Sequence, residues 1–504
     1  MILKGSLIQK KKREENGVRY QKAKRWEIIL GMANNGADVA FYILMGYASM
    51  IAVEGYGIKM ALAGTILTVM RICFGAMDAA ISGIFEKINP RRGKIRIFML
   101  VGWFVCMAGA LLLYIWCAGK FKGFAGIIVF ILAYFVYLLG YSINSIGGGT
   151  VGIVITNEPR QRAMVGVVGT VFSYLIPIIF MNITTFAILP RYHQQYSIEM
   201  LAEMVVWYAV FSFVLVLLSC IGVSKVDVEK TFTVVSSEQK KQPVSFRDMW
   251  EMFKSNRNVQ MYMLTGIANK LAQQTGTQTI IITLLNGVLI GNYVTTTMAG
   301  NFTQIIGIIF AFGGGIFISK WGAKKCTVIW SWISIGVAIS AVGFCLLLGG
   351  AYGMQKLGVM GIPLVLWVIL NLAKSGSMMV LTTANSAMRA DIVDYEHSRS
   401  GKYMPAVISG IYSFVDKLVS SLGSTIAAVS ITFVGYVNRV PQLGDQITWA
   451  KFWMCMFLVM GLPILGWICN IAAMKYYDLN KERMVEVQKC RQEFKTVTEK
   501  NHVI

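Results

Sequence analysis

About twelve times along its 504 residues, this chain runs for roughly twenty positions with mostly apolar side chains, and that recurrence fixes the class of fold open to it. A helix needs ~20 such residues to cross the ~30 Å hydrocarbon core of a bilayer. Backbone amides in lipid must find partners within their own segment, so each run is expected to be helical. The run centres fall near Val39, Leu67, Val105, Val136, Phe172, Val214, Gln274, Ile306, Ile335, Leu370, Phe414 and Val459. Those around Gln274 and Phe414 are polar, but each ends in turn or charge signals and is needed to keep the loops alternating. Only 14% of the residues are charged, against ~25% in soluble domains. The expectation is an all-α polytopic membrane protein.

The distribution of charge sets the topology. The net charge of +22 comes from short loops and tails without a nucleic-acid-binding motif, so anionic membrane lipids are the expected partners and nucleic acid is not. Lysine and arginine concentrate in residues 10–25, 91–96, 160–162, 225–257, 320–325, 389–402 and 475–500. The alternate set of loops holds only Lys59, Lys120, Lys122, Arg191, Lys356, Arg439 and Lys451. Cytoplasmic loops carry the excess of basic residues, so both termini are expected in the cytoplasm. No apolar core precedes Trp26, and a cleaved signal peptide is not expected. Most of the nine cysteines lie singly in apolar runs with no CxxC spacing, which reads as small buried side chains rather than disulfides or metal ligands.

The polar stretch in the middle divides the runs six and six. The expected segments are a basic tail at 1–25, a six-helix bundle at 26–224, a linker at 225–258, a second bundle at 259–476 and a tail at 477–504. Within the linker, Phe246, Met249, Trp250 and Phe253 recur at helical spacing, which fits either a helix lying on the membrane surface or a solvated linker with scattered hydrophobes. The sequence from Gly83 to Lys94 is echoed from Gly315 to Lys325, each at the end of the second run of its half. A weaker echo links the stretch after Asn157 with the one after Arg389. Two pseudo-symmetric six-helix bundles are expected.

Ionisable groups at membrane depth are expensive and face protein interiors or watery pathways. Asn34 and Asp38 are four residues apart and share a face of the first run; Arg71 and Asp78 share a face of the second. Each of the latter pair is expected to meet another helix, with Asp38 the natural partner of Arg71. The fourth run carries Tyr141, Ser142, Asn144 and Ser145 before Gly147, Gly148 and Gly149, a weak helix that either lines a cavity or marks a tight helix crossing. Asn269, Lys270, Gln273, Gln274, Asn371, Lys374, Asp416 and Lys417 bring polar groups into the second half, where Lys374 either stays inside or snorkels to an interface. The three histidines lie in loops or the tail, so no histidine-centred triad or zinc site is expected within the runs. Neither an enzyme site nor a cofactor is expected, and with no GxxxxGK[ST] loop any transport must draw on a gradient.

Arg71 and Asp78 before the basic Gly-Lys loop, Gly36-Ala37-Asp38, Tyr141-Ser142-Ile143 and Ala390-Asp391-Ile392-Val393-Asp394-Tyr395 together resemble the glycoside-pentoside-hexuronide:cation symporter family, a melibiose permease-like branch of the major facilitator superfamily. The resemblance extends from about Trp26 to Asp478. It implies the major facilitator fold, alternating access, and sugar and cation sites near the midplane. Carried over by position, the family's first-helix sugar-binding acid falls on Asp38, an acid of its cation site on Asp78, and a nearby lysine on Lys417. Its other cation-site acid falls on Phe74, the fourth-helix acid on Ser145, a sugar-packing tryptophan on Gly149 and an arginine on Thr170.

The expected substrate-binding residues are therefore Asp38, Asn34, Tyr141, Asn144, Ser145, Gly149 and Thr170, and the expected coupling residues are Asp78, Arg71 and Lys417. Loss of one carboxylate to Phe74 points to a proton rather than sodium as the coupling ion, and the smaller side chains at 149 and 170 point to a wider pocket. The expectation is a monomeric importer of a sugar or glycoside in the cell membrane. A carrier of lysolipid-like cargo and a non-transporting sensor are the alternatives.

Overall fold

The computed structural model describes residues 23–88, 93–156, 159–227, 254, 256–400, 405–484 and 486–487. Twelve long helical spans stand among these residues. They are α1 (Arg25–Glu54, interrupted at Met32 and Ala33), α2 (Met60–Lys87), α3 (Lys94–Trp116), α4 (Gly123–Val154), α5 (Pro159–Asn182) and α6 (Ile198–Val223), followed by α7 (Arg257–Gly276, resuming at Thr279–Ile290), α8 (Tyr293–Trp321), α9 (Ala323–Leu347), α10 (Ile362–Ser400), α11 (Pro405–Thr432) and α12 (Trp449–Tyr476). Every centre expected from the apolar runs falls inside one of them. Nine are long and apolar enough to cross a membrane by composition alone among the described residues, and α7 is not one of them. Large apolar side chains such as Phe104, Ile309 and Leu347 are exposed on the outside, as a surface facing lipid requires. The tail before Ala23 and the expected surface segment at 246–253 lie outside the described residues.

The helices form two groups, α1–α6 and α7–α12. Within the first, α3 lies closest against α4; within the second, α8 and α9 pack on α10, and α7 on α12. The α3–α4 contact is made by glycine: a Cβ at Gly102 would strike Asn144, one at Gly109 would strike Tyr137, and one at Gly140 would strike Cys106. Small residues at such points let helix backbones touch, which is how helices gain packing energy where lipid supplies no hydrophobic drive.

The echoed stretches each place a glycine at the start of the next helix. Gly93 and Gly322, with φ of +91° and +80°, immediately precede α3 and α9 and hold a backbone region that side-chain-bearing residues rarely enter. Gly93 lies against Asp227, which is wholly buried just past α6. The Asp227 carboxylate accepts the backbone N–H of Ile95 (3.1 Å) and of Arg96 (2.9 Å) together with the Arg96 Nε (3.2 Å). It thus caps the N-terminus of α3 from a distance of over a hundred residues in sequence. Lys225 of the same turn pairs with Glu27 at 2.7 Å.

The two groups meet through α2 and α11, α5 and α8, and α1 and α7. Thr68 donates to the Ser421 carbonyl (2.8 Å), and Thr425 donates to the Gly64 carbonyl (3.0 Å). Asn301 donates to Asn182 (2.9 Å), and the hydroxyls of Thr185 and Thr297 are 3.1 Å apart. In the loops, Tyr196 and Gln442 exchange two hydrogen bonds of 2.9 and 3.0 Å. These contacts run from the middle of the spans to the face opposite the termini. On that side, too, the helices widen into i→i+5 turns at Leu112–Trp116, Ile183–Ile188, Leu284–Ile290 and Phe457–Gly461.

Asp227→Asn replaces a charged acceptor of three hydrogen bonds with a group that must present a donor to some of them. Loss of such charge-assisted bonds is expected to cost about 2 kcal/mol, read as a lower midpoint in detergent thermal unfolding against wild type.

Candidate transport site

α4 presents its polar residues to both α1 and α2. Ser142 and Ser145 are one turn apart on α4, and each meets a carboxylate from a different helix. The Ser142 hydroxyl hydrogen-bonds Asp78 Oδ1 of α2. Ser145 approaches the Asp38 carboxylate of α1 as a donor, while Asp38 Oδ1 is buried with no hydrogen-bond partner. The two carboxylates lie close enough to act on one another electrostatically. Asn144, on the neighbouring side of α4, accepts from Asn34 Nδ2 (3.0 Å) and donates to the Met99 carbonyl (2.8 Å), which locks α1, α3 and α4 together.

The three glycines of α4 behave differently, and the helix runs through them unbroken. A Cβ at Gly148 would collide with Asn34, and one at Gly147 would press on Met99 at 3.1 Å, so these two make a tight crossing. Gly149 faces open space. Tyr141, Ser145 and Gly149 occupy successive i, i+4 positions, so the open position continues the stripe that holds the Asp38 contact.

A cavity of about 230 Å³ lies beside this stripe, lined by Asn35, Asp38, Val39, Tyr42, Tyr141 and Ser173. This is just below the ~300–1,000 Å³ of small-molecule sites, a space suited to one ring of a polar ligand. Phe74 stacks on Tyr141 with ring centroids 5.4 Å apart, and Phe41 meets the same ring edge-on at 5.8 Å. The Phe74 ring, one turn before Asp78, therefore supports the cavity wall and supplies no oxygen to a cation.

Arg71 corrects an expectation. It does not pair with Asp38; its Nη1 donates to the Ser420 carbonyl of α11 at 3.4 Å, and its Nε is buried without a partner. It is thus a tie between the two groups at mid-span. Its other neighbour is Tyr134. Lys374 does not snorkel: its amine reaches the Val459 carbonyl at 3.4 Å, between α10 and the widened turn of α12. The side chains of Thr170 and Lys417 lie outside the described ones.

The structure thus gathers Asn34, Asp38, Asp78, Tyr141, Asn144, Ser145 and Gly149 around one side of α4. Tyr42 and Ser173 join the cavity without having been singled out from the sequence. Tyr42 stands one turn from Asp38, a spacing that marks it as a site residue once Asp38 is one.

A sequence profile for a transporter family, described as MFS/sugar transport protein, matches residues 29–481. The glucuronide carrier protein homolog of Escherichia coli (strain K12) is 22% identical over 92% of this chain and 95% of its own length. A symporter of Bacillus subtilis (strain 168), uncharacterised and called YjmB, is 20% identical over 88% of this chain and 90% of its own. Among solved structures, that of the nucleoside transporter NupG aligns with a TM-score of 0.57 at 12% identity, covering 89% of this chain and 99% of that one. A bacterial homologue of the iron transporter ferroportin in its outward-facing state aligns with a TM-score of 0.55 at 12% identity, over 90% of this chain and 100% of that one. At such identity the structural likeness carries the fold alone.

Two adjacent glycines offer a contrast. Gly148→Ala puts its Cβ on the Asn34 amide, displaces that side chain from Asn144 and is expected to lower thermal stability, whereas Gly149→Ala meets nothing and should melt as the wild type does; parallel unfolding scans of the purified variants check both.

Proposed function

The chain belongs to the MFS/sugar transport family, a family of secondary transporters and not of enzymes, and on that premise we propose that it imports a sugar or glycoside by alternating access with a proton as the coupling ion. The observation that carries the reading is the placement of Asp38 and Asp78 on serines one turn apart on α4, beside a cavity that Asp38 itself lines.

A sugar hydroxyl presented to Asp38 Oδ1 would give that buried acceptor its missing partner, and the ring would rest against Tyr141. The aglycone or a second sugar runs toward the open space at Gly149. The glucuronide named for one relative is a sugar conjugate of this class. Asp78, bonded to Ser142 and placed near Asp38, serves as the proton-carrying group. Phe74 leaves sodium short of an anionic ligand. Arg71 assists coupling from outside the sugar cavity, and a coupling role for Lys417 and a substrate-binding role for Thr170 complete the assignment. The bundles span 26–224 and 259–476, the carrier works as a monomer, and both termini face the cytoplasm, which makes the closed face the outer one.

Proteoliposomes loaded with mono-, di- and trisaccharides, methyl glycosides and glucuronides, under proton, sodium or no gradient, test the reading. Accumulation should follow the proton gradient, and the panel should include at least one glycoside or glucuronide that is taken up. In Asp78→Asn, accumulation is expected to fall to equilibration while exchange of sugar across the membrane persists. Unchanged pH-driven accumulation in that variant removes Asp78 from the coupling step.

A further inference from the structure

Most of the side chains placed in the site so far belong to α1–α6, yet alternating access requires a ligand to be felt by the other group as well. Along α1, Asp38, Tyr42 and Gly46 follow one another at i, i+4 spacing on one face. Asp38 and Tyr42 line the cavity; the Tyr42 hydroxyl donates to Gln274 Oε1 of α7 at 2.9 Å; and a Cβ at Gly46 would lie 3.0 Å from Thr279 Oγ1, where α7 resumes.

Gln274 thus stands at the interruption of α7. The last turn before the break ends at Gly276, and the side chain of Gln278 donates back to the Gln274 carbonyl at 2.9 Å. From behind, α11 closes on Gln274 through Gly423, where a Cβ would come within 3.0 Å of Gln274 Cβ. The side chain reaches forward to Tyr42, which itself lines the cavity. A primary amide offers an oxygen with two lone pairs and two N–H donors. Tyr42 engages the oxygen, and among the described residues the Nε2 donors have no hydrogen-bond partner.

We infer that Gln274 is the ligand that α7–α12 contribute to the sugar site, and that Tyr42 holds it while the cavity is unoccupied. The inference rests on the sugar-transport reading. Adjacent sugar hydroxyls need an acceptor beside a donor; Asp38 Oδ1 supplies the first and Gln274 Nε2 the second. A sugar hydroxyl that competes for the lone pair of the Gln274 oxygen facing Tyr42 displaces the Tyr42 hydroxyl, and with it breaks a hydrogen bond joining the two groups at the cavity rim. Occupancy is thereby passed to the break in α7 without a relay through other side chains.

Two readouts test this. Titration calorimetry with methyl β-D-glucuronide and methyl β-D-glucoside measures binding. Gln274→Glu keeps the acceptor that Tyr42 uses and removes the donor, so affinity should fall about tenfold, whereas Tyr42→Phe frees the amide and should bind about twofold more tightly. Oxidative crosslinking of Thr185→Cys to Thr297→Cys reports closure of the two groups and needs no sugar. Its yield should fall in Tyr42→Phe and hold in Gln274→Glu, while Gln274→Leu loses both yield and affinity.

A wild type that binds a probe alongside a Gln274→Glu that binds it equally well overturns the assignment alone. Weaker binding by Tyr42→Phe, or an unchanged crosslink in that variant, also overturns it. A wild type that binds neither probe overturns the glycoside reading and the sugar role of Gln274 with it.

Discussion

The arrangement of α1–α6 follows from one difficulty, that of keeping two carboxylates inside a bundle of apolar helices. Asp78 takes a hydrogen bond from Ser142 of α4, and Ser145, one turn further on, approaches Asp38. Where α1 approaches α4, the Asn34 side chain lies on Gly148, and the Asn34–Asn144 hydrogen bond fixes the register. α4 in turn is held by α3 through three more glycine contacts. The cavity is what remains where this close packing stops, at Gly149 and beside Tyr141. Site and scaffold therefore share one helix, and a substitution on the α4 face acts on both.

The apolar runs made the fold legible, because a bilayer imposes a length rule that operates segment by segment. The site was partly legible for a related reason. Asp38, Asp78 and the polar stretch from Tyr141 to Ser145 are conspicuous in apolar surroundings, and the bilayer makes such residues meaningful. Which residue met which was another matter. Arg71 could have faced Asp38 by helix geometry, but α11 offers it the Ser420 carbonyl instead, and nothing local in either segment announces that meeting.

Glycines show the same limit. The run at 147–149 reads as one feature in sequence, yet in space it splits into two contacts and one opening, because a missing side chain carries no mark of the face it lies on. Asp227, in a stretch that reads as the start of a linker, proves to be the cap of α3. Its role depends on a partner more than a hundred residues away, and a single sequence holds no sign of that pairing.

The wide turns at Leu112–Trp116, Ile183–Ile188, Leu284–Ile290 and Phe457–Gly461 interrupt the regular ladder of α3, α5, α7 and α12. Such turns are weaker than α-helix and concentrate where helices deform. The spans that correspond to these four across the pseudo-dyad are α9, α11, α1 and α6, so the two halves are alike in topology and unlike in stiffness. Bending is expected to be easiest in these four helices near the face opposite the termini, whereas α3 is capped at its other end by Asp227.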